Sequence, residues 1–380
     1  MKDINILAGA TSSFGELWGV SPRKLVSDVT AEALKESGIK RHEIEAIFVG
    51  NMLSSSLGSQ DHLGAFFSEE LGFNVPAVKI EAACASGGMA VHTACLAVLS
   101  GQYETVLVLG VEKMTDHKPE EVASALMAAG TDGEREAGAT FPTLYALIAR
   151  AHMAKYATTE LQMAAVSVKN HFHASLNSHA QFKNPITEEM VLKSPVVASP
   201  LKILDCSPIT DGAASLILSR RKSGGKNIAI TASEAATDSL GLAQRESLTS
   251  LKAAAEAAKK AYRSAGILPN DINVAEVHDC FSIAEIIAME DLSFFTKGTA
   301  AKNIASGMTR LGGKGIIVNT SGGLKAAGHP VGATGVKQVV EILQQLKGIS
   351  GAKQVSGAKI GLTHNVGGSG ATAVVHILKK

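Results

Sequence analysis

Residues Ile80–Leu99 read IEAACASGGMAVHTACLAVL, a strand end, a small-residue step and then an apolar helix. The pattern returns at Val318–Val340, VNTSGGLKAAGHPVGATGVKQVV, with the same Ser-Gly-Gly step. Strands alternate with helices around both copies, which predicts a mostly parallel sheet covered by helices. In the first half, strands are expected at Ile4–Ala8, Ile44–Val49 (buried), Val75–Glu81 (buried) and Thr105–Leu109. Helices are expected at Ser21–Ser37, with Ser21 as N-cap, Pro22 in the first turn and Gly38 as the stop, and at Ser86–Ser100. The second half restarts with strand Asn227–Ser233, helix Leu248–Ala265 and strand Val274–His278. Strand Ile316–Asn319, helix Ala333–Leu346 and two strands, Ile360–His364 and Ala371–Leu378, complete it. Two copies of one α/β unit packed back to back is the economical fold.

Between the halves the pattern breaks. Residues 112–136 are acidic, residues 141–202 carry helical patterns between Pro-rich loops, and Ala213–Ser219 returns to strand character. The segment Arg220–Lys226 (RRKSGGK) reads as a linker. The expected division is a first core half at 1–115 and 200–222, an inserted loop domain at 116–199 and a second core half at 227–380.

Composition limits the function classes. The chain has 380 residues, a formal net charge of +1, 46% hydrophobic and 19% charged residues. At roughly 150 residues per domain this suggests two domains or one doubled one. Near-neutral charge argues against nucleic acid and acidic membranes as general partners. The apolar content excludes disorder. Four cysteines without CxxC spacing form no disulfide framework or zinc finger. With no signal architecture at Met1–Asn5 and no apolar run of roughly 18 residues, a cytoplasmic protein is expected.

Four constellations carry chemistry. Cys84 lies where a strand meets a helix, where unpaired N–H groups would lower a thiol's pKa and favour a nucleophile. Cys95 and Cys206 fit the alternative reading of small core residues. His329, in GHPVGATG, stands on a Gly-rich turn at the pseudo-equivalent place in the other half, and an imidazole there suits proton transfer to and from a thiol. His278-Asp279-Cys280-Phe281 puts a second His and a second thiol at a strand end, the edge where α/β sites gather. His364-Asn365-Val366-Gly367-Gly368-Ser369-Gly370 is a Gly-rich turn of the kind that offers N–H groups to an oxyanion. As a bare turn it is equally a flexible hairpin.

Taken together, ACASGG, HDCF, GLKAAGHPVGATG and HNVGGSG resemble the thiolase superfamily over the whole chain. The resemblance is greatest to sterol-carrier-type thiolases and short archaeal acetoacetyl-CoA thiolases. It implies an α/β fold with a duplicated five-layer αβαβα core and an inserted loop domain over the CoA. Common thiolases carry Asn-Glu-Ala-Phe where this chain has HDCF, and a second catalytic Cys where it has His364. In the sterol-carrier branch the Cys of HDCF, here Cys280, takes that role.

What the resemblance implies is an acetyl-CoA C-acetyltransferase that joins two acetyl-CoA into acetoacetyl-CoA and CoA, feeding the mevalonate pathway. Cys84 is the nucleophile, activated by His329, and Cys280 the acid/base at the α-carbon. His278 and His329 hold the enolate, the backbone N–H groups of Cys84 and Val366 hold the acyl-enzyme oxyanion, and His364 supports the second thiol. Coenzyme A thioesters are substrates, with no tightly bound cofactor and no metal. The loop-domain span 150–202 has six Lys/Arg against three Glu, a basic excess suited to CoA phosphates. His171-Phe172-His173 within it lacks a carboxylate or Cys spaced to complete a metal site. Partners implied are a second copy of the chain, as homodimer or tetramer, and hydroxymethylglutaryl-CoA synthase with a small zinc-ribbon/OB-fold bridging protein. The alternatives are a degradative 3-ketoacyl-CoA thiolase of broader chain length and a non-catalytic CoA- or lipid-binding scaffold. Ketoacyl or hydroxymethylglutaryl-CoA synthases do not need the second thiol, and a Cys-His hydrolase lacks an orienting partner near His329.

Overall fold

The computed structural model describes residues 4–221 and 227–380. Ten strands form one continuous sheet: β1 (Ile4–Thr11), β2 (Ala46–Gly50), β3 (Ala77–Ile80), β4 (Thr105–Glu112), β7 (Gly212–Ser219), β8 (Ala229–Thr237), β9 (Val274–Glu276), β10 (Ile317–Val318), β11 (Ile360–Gly367) and β12 (Thr372–Lys379). A separate small ribbon pairs β5 (Val196–Ala198) with β6 (Leu201–Lys202). The order across the large sheet is β10-β9-β11-β12-β8-β1-β7-β4-β2-β3. Counted outward from the β1–β8 junction, each half runs first, fifth, fourth, second and third strand. The duplication read from the motifs is therefore also present in the topology.

The sheet is not mostly parallel. β2 runs parallel to β3 and β4, and β9 to β10 and β11. The ladders β1–β7, β4–β7, β11–β12, β8–β12 and β1–β8 are antiparallel. Each half thus adds an antiparallel hairpin-like pair to a parallel βαβ unit. β3 is an edge strand with Val78 46% exposed, not a buried strand.

The helices are α1 (Pro22–Ser37), α2 (Leu63–Glu70), α3 (Ser86–Leu99), α4 (Pro119–Met127), α5 (Asp132–Glu136), α6 (Phe141–Tyr156), α7 (Glu160–Ser175), α8 (Glu188–Lys193), α9 (Lys252–Ala265), α10 (Ser282–Asp291), α11 (Ala300–Ala305), α12 (Gly323–Ala327) and α13 (Val331–Lys347). α1 begins where Ser21 Oγ accepts the Lys24 N–H and stops at Gly38, whose φ of 70° is in the left-handed region. Its buried face, Leu25, Val26, Val29 and Ala33, covers β1 and β7 in an outer core. α3 and α13 pack on each other, and each touches strands of both halves. Their apolar sides, with Val91, Ala94, Val336 and Val340, form the central core. α9 and α10 cover the second half. The layers run helix, first-half strands, helix pair, second-half strands, helix, a five-layer duplicated α/β core. The N-termini of α3 and α13 hold the Cys84 and His329 turns.

Helices α4 to α8 occupy the connection between β4 and β7. The same connection in the second half is the short Gly-rich turn between β11 and β12. Residues 222–226 of the RRKSGGK segment, and Met1–Asp3, lie outside the described residues. Among the described residues no helix is long and apolar enough to cross a membrane.

Ion pairing lowers the basic excess of the insertion by one charge. Lys169 pairs with Glu285 at 3.0 Å, Lys193 with Glu189 at 2.6 Å, and Lys202 with Glu160. That leaves Arg150, Lys155 and Lys183 outside ion pairs with carboxylates among the described residues, against Glu188, so an excess of two remains on offer to phosphates.

Candidate active site

The turn that carries Cys84 is held in a costly shape. Ala83 has φ 51°, left-handed for a residue with a Cβ, which costs roughly 1–2 kcal/mol. Ser86 supports it: its Oγ accepts the Ala82 N–H at 2.9 Å and donates to the Ala83 carbonyl at 2.6 Å. The thiol is buried, and burial pushes its pKa up to about 12, assisted by the nearby Glu112 carboxylate. The expected lowering by the helix N-terminus is overturned, because loss of water outweighs the backbone donors that reach the sulfur. Those donors are the N–H groups of Gly368 and of Cys84 itself. Cys84 therefore rests as a neutral thiol between two N–H groups.

His329 follows Gly328, whose φ of 111° lets α12 turn sharply. Thr210 Oγ1 accepts the His329 N–H at 2.9 Å. Thr334 donates its one hydroxyl proton to the Pro330 carbonyl at 3.0 Å, so its oxygen accepts from His329 Nδ1–H at 2.8 Å. The proton on Nδ1 leaves a lone pair on Nε2, which is buried without a partner among the described residues. Burial, with Lys337 nearby, lowers this imidazole to about 3, so it stays neutral and able to accept a proton. The ring of His278 lies edge-on to it, centroids 5.1 Å apart.

His278 and Cys280 extend from the end of β9. Between them, Asp279 accepts the Leu324 N–H at 2.6 Å and the Lys325 N–H at 3.3 Å, tying this strand end to the start of the GHP segment. Burial, with a contribution from Cys84, pushes the Cys280 thiol well above its ordinary range. Tyr145, on α6, is in hydrogen-bond contact with the Cys280 thiol and donates to the Gly368 carbonyl at 3.3 Å. Tyr145 was invisible to sequence reasoning, since one Tyr in an apolar helix gives no signal of its partner.

The fourth motif is split in its roles. His364 is buried behind His278, and its Nδ1 accepts the His278 N–H over a long 3.5 Å. Val366 is buried on β11 opposite Ala373. The N–H from this motif that reaches Cys84 is that of Gly368, two residues further on. Asn365 donates to the Cys84 carbonyl and approaches His278 Nδ1, both at 3.1 Å.

Cys84, Cys280, His329 and Gly368 open on a cavity of about 210 Å³ between core and insertion. Its walls include Met114, Leu126, Phe141, Tyr145, Ile209 and Val331. Cys206, read from sequence as structural, also lines it, while Cys95 is buried in the central core. Among the described residues, one cluster has the makings of a metal site: Cys84 Sγ with a ring nitrogen of each of His278 and His329, all within 4.8 Å of one another. His171 and His173 instead bond separately to the Asn184 and Asn319 carbonyls. Chemically, the cavity brings together a thiol, a neutral base, two N–H donors and a second buried thiol.

Comparison with known proteins gives a consistent result. The family model "Thiolase, N-terminal domain" matches residues 4–222, and "Thiolase C-terminal domain-like" matches 234–380. The acetyl-CoA acetyltransferase of Methanothermobacter thermautotrophicus is 44% identical over 385 residues, covering 100% of both chains. Among solved structures, an Ltp2-ChsH2(DUF35) aldolase superposes with TM-score 0.85 at 21% identity, over 100% of this chain and 98% of that one. A human mitochondrial 3-ketoacyl-CoA thiolase in complex with CoA gives TM-score 0.75 at 16% identity, with 100% and 98% coverage. These last two are likenesses of fold.

Proposed function

Because the chain belongs to the thiolase family, we propose that it is an acetyl-CoA C-acetyltransferase working through an acyl-Cys84 intermediate. The observation that carries this is the convergence of Cys84, His329 and Cys280, from three motifs and both halves, on one cavity. The 44% identical acetyltransferase supports the choice of acetyl-CoA.

As Cys84 attacks the thioester carbonyl, His329 Nε2 takes its proton. The N–H groups of Cys84 and Gly368 receive the developing oxyanion. CoA then leaves as a thiol with the proton from His329, and the acyl group stays on sulfur. Cys280 passes its proton to His329 Nε2 and, as thiolate, removes the α-proton of a second acetyl-CoA. The Nε2–H groups of His278 and of the now protonated His329 hold the enolate oxygen, the new C–C bond forms at the acyl carbonyl, and Cys84 departs with the proton from His329. Tyr145, Gly368 and Cys280 act in this reading as one assembly. His364 backs His278, and the Val366 amide is replaced by that of Gly368.

The test is incubation with acetyl-CoA followed by peptide mass spectrometry. An acetyl group on the Cys84 peptide, discharged by a second acetyl-CoA as acetoacetyl-CoA, is the expected result. A folded protein with no adduct there would overturn the reading. The apolar cavity walls also favour a second reading, 3-ketoacyl-CoA thiolysis with longer chains, since both directions use the same residues. A chain-length series of thiolysis rates separates the two. The finer parts of the proposal are a role in the mevalonate pathway, the loop domain at 116–199 as the CoA cover, a homodimer or tetramer, and assembly with hydroxymethylglutaryl-CoA synthase and a zinc-ribbon/OB-fold protein. Sedimentation of the chain alone and with those proteins tests the assemblies.

A further inference from the structure

We infer that Asn365 is a positioning residue that fixes His278 with its proton on Nε2, making the Cys84–His278–His329 cluster an oxyanion site instead of a metal site. The inference rests on the proposed assignment of His278 to the enolate and supplies the reason that assignment needs.

Asn365 is where the four motifs meet. From β11 its Oδ1 accepts the N–H of Gly88, in the first turn of α3, at 3.1 Å. Its Nδ2 donates to the Cys84 carbonyl at 3.1 Å and lies 3.1 Å from His278 Nδ1. The motif glycines make its seat. A methyl on Gly88 would stand 2.8 Å from Oδ1, and one on Gly335, in GATG, would fall inside contact distance of the same oxygen.

The amide orientation follows from two backbone groups. Rotated by a half-turn, Nδ2 would face the Gly88 N–H and Oδ1 would face the Cys84 carbonyl, donor against donor and acceptor against acceptor. Both Nδ2 protons are therefore committed, one to Cys84 O and one to His278 Nδ1. A nitrogen that accepts carries no proton, so neutral His278 is protonated on Nε2. His329 is the opposite tautomer, set by Thr334. Both Nε2 atoms are buried without partners. One offers a proton to an oxyanion and the other a lone pair to the Cys84 thiol.

Thiolate plus two imidazoles is also a ligand set for zinc. His278 can join it only through a lone pair on Nε2, which requires moving its proton to Nδ1. The Asn365 N–H already occupies that side. The group bonded to the far nitrogen sets the tautomer of a metal-binding histidine, and here that group is a donor where a metal site needs an acceptor.

Selective 15N-histidine labelling with long-range 1H–15N spectra reads the tautomer directly, with the His278 signals assigned through His278→Gln. The expected spectrum has a protonated Nε2 and a bare Nδ1 at His278. A wild-type His278 protonated on Nδ1 overturns the inference without any variant of Asn365. In Asn365→Asp the carboxylate accepts from Nδ1–H, so the tautomer reverses. Zn2+ alone, titrated calorimetrically, is then expected to bind about 10-fold tighter or more than to wild type. The gain should vanish in Asn365→Asp/His278→Gln, and an unchanged tautomer in a folded Asn365→Asp would overturn the assignment. The same variant should slow enolate formation, read as α-proton exchange, about 100-fold more than Cys84 acylation. Absence of any acyl-Cys84 in wild type would instead defeat the proposed function, leaving the tautomer result standing.

Discussion

His278 and His329 meet edge-on, their rings 85° apart, and the Nε2 of each is buried with no partner among the described residues. Neither is charged at rest. Burial lowers His329 to about 3, and burial with the neighbouring imidazoles lowers His278 well below its ordinary value. An ordinary imidazole would lose its basicity below about pH 6.5. Cys84 acylation should therefore stay flat from about pH 8 down to about pH 5, limited only by global stability. Single-turnover acylation across that range checks it. A fall with an apparent pKa near 6.5 would contradict the buried, neutral base.

Cys280 should matter for one half-reaction only. Cys280→Ala is expected to leave acetylation of Cys84 measurable while lowering condensation and thiolysis by about 10²–10⁴-fold. Peptide mass spectrometry and turnover, measured on the same sample, separate the two steps. Equal losses in both would argue against an acid/base role.

Tyr145→Phe keeps the ring packed against Phe281, centroids 4.6 Å apart and planes tilted by 30°, and removes the hydroxyl shared by Cys280 and Gly368. A stability loss of about 1 kcal/mol is expected. Condensation should drop about 10-fold, with acylation less affected. Denaturant melts and the two half-reaction rates test this.

Gly335→Ala should be severe for so small a change. The added methyl would run into the Gly88 nitrogen and Asn365 Oδ1, forcing α3 and α13 apart at their N-termini. A loss of about 3 kcal/mol, with activity abolished, is the expected result. Retained activity in a stable protein would show that the two helices can separate without cost to the site.

Acid should weaken the fold through its imidazoles. His173, His329, His364 and His376 are each lowered to about 3, chiefly by burial. The unfolded chain takes up these protons near pH 6.5 and the folded one does not. Their stabilisation is complete above about 6.5 and is lost as pH falls toward 3, at about 1.4 kcal/mol per pH unit for each imidazole. Glu112 and Asp279, both raised chiefly by burial, act in the opposite sense. The four imidazoles outnumber these two carboxyls, so the melting temperature should fall from about pH 6 to about pH 5. A profile flat to pH 5 would contradict the neutral buried histidines.

Local rules served well wherever the chain itself supplies the partner. Ser21, Pro22 and Gly38 bound α1 because a cap needs only neighbours in sequence. The duplication was legible in the order of elements, and the first Ser-Gly-Gly step does serve close approach, since Gly87 packs backbone to backbone on Gly332 of the GHPVGATG motif. Strand direction was not legible. β1, β4 and β7 are buried along their whole length, and a continuous apolar run carries no mark of parallel or antiparallel pairing. The sign of the Cys84 shift was missed because desolvation depends on what covers the turn, and the cover arrives from distant segments. Tyr145 belongs to the same class. Asn365 was quoted within a motif, but its role requires Gly88, Cys84 and His278, which only the fold assembles.

A duplicated fold presents every connection twice, and here the two copies of one hairpin have parted ways. Between β11 and β12 the link remains a tight glycine turn, held short because its amide must stay at the sulfur. Between β4 and β7 the twin link had no such duty and grew into residues 113–211, which return over the cavity through Tyr145. Change should therefore be uneven along the chain: substrate range can be reshaped by rewriting the long copy, while the short copy tolerates almost no edit.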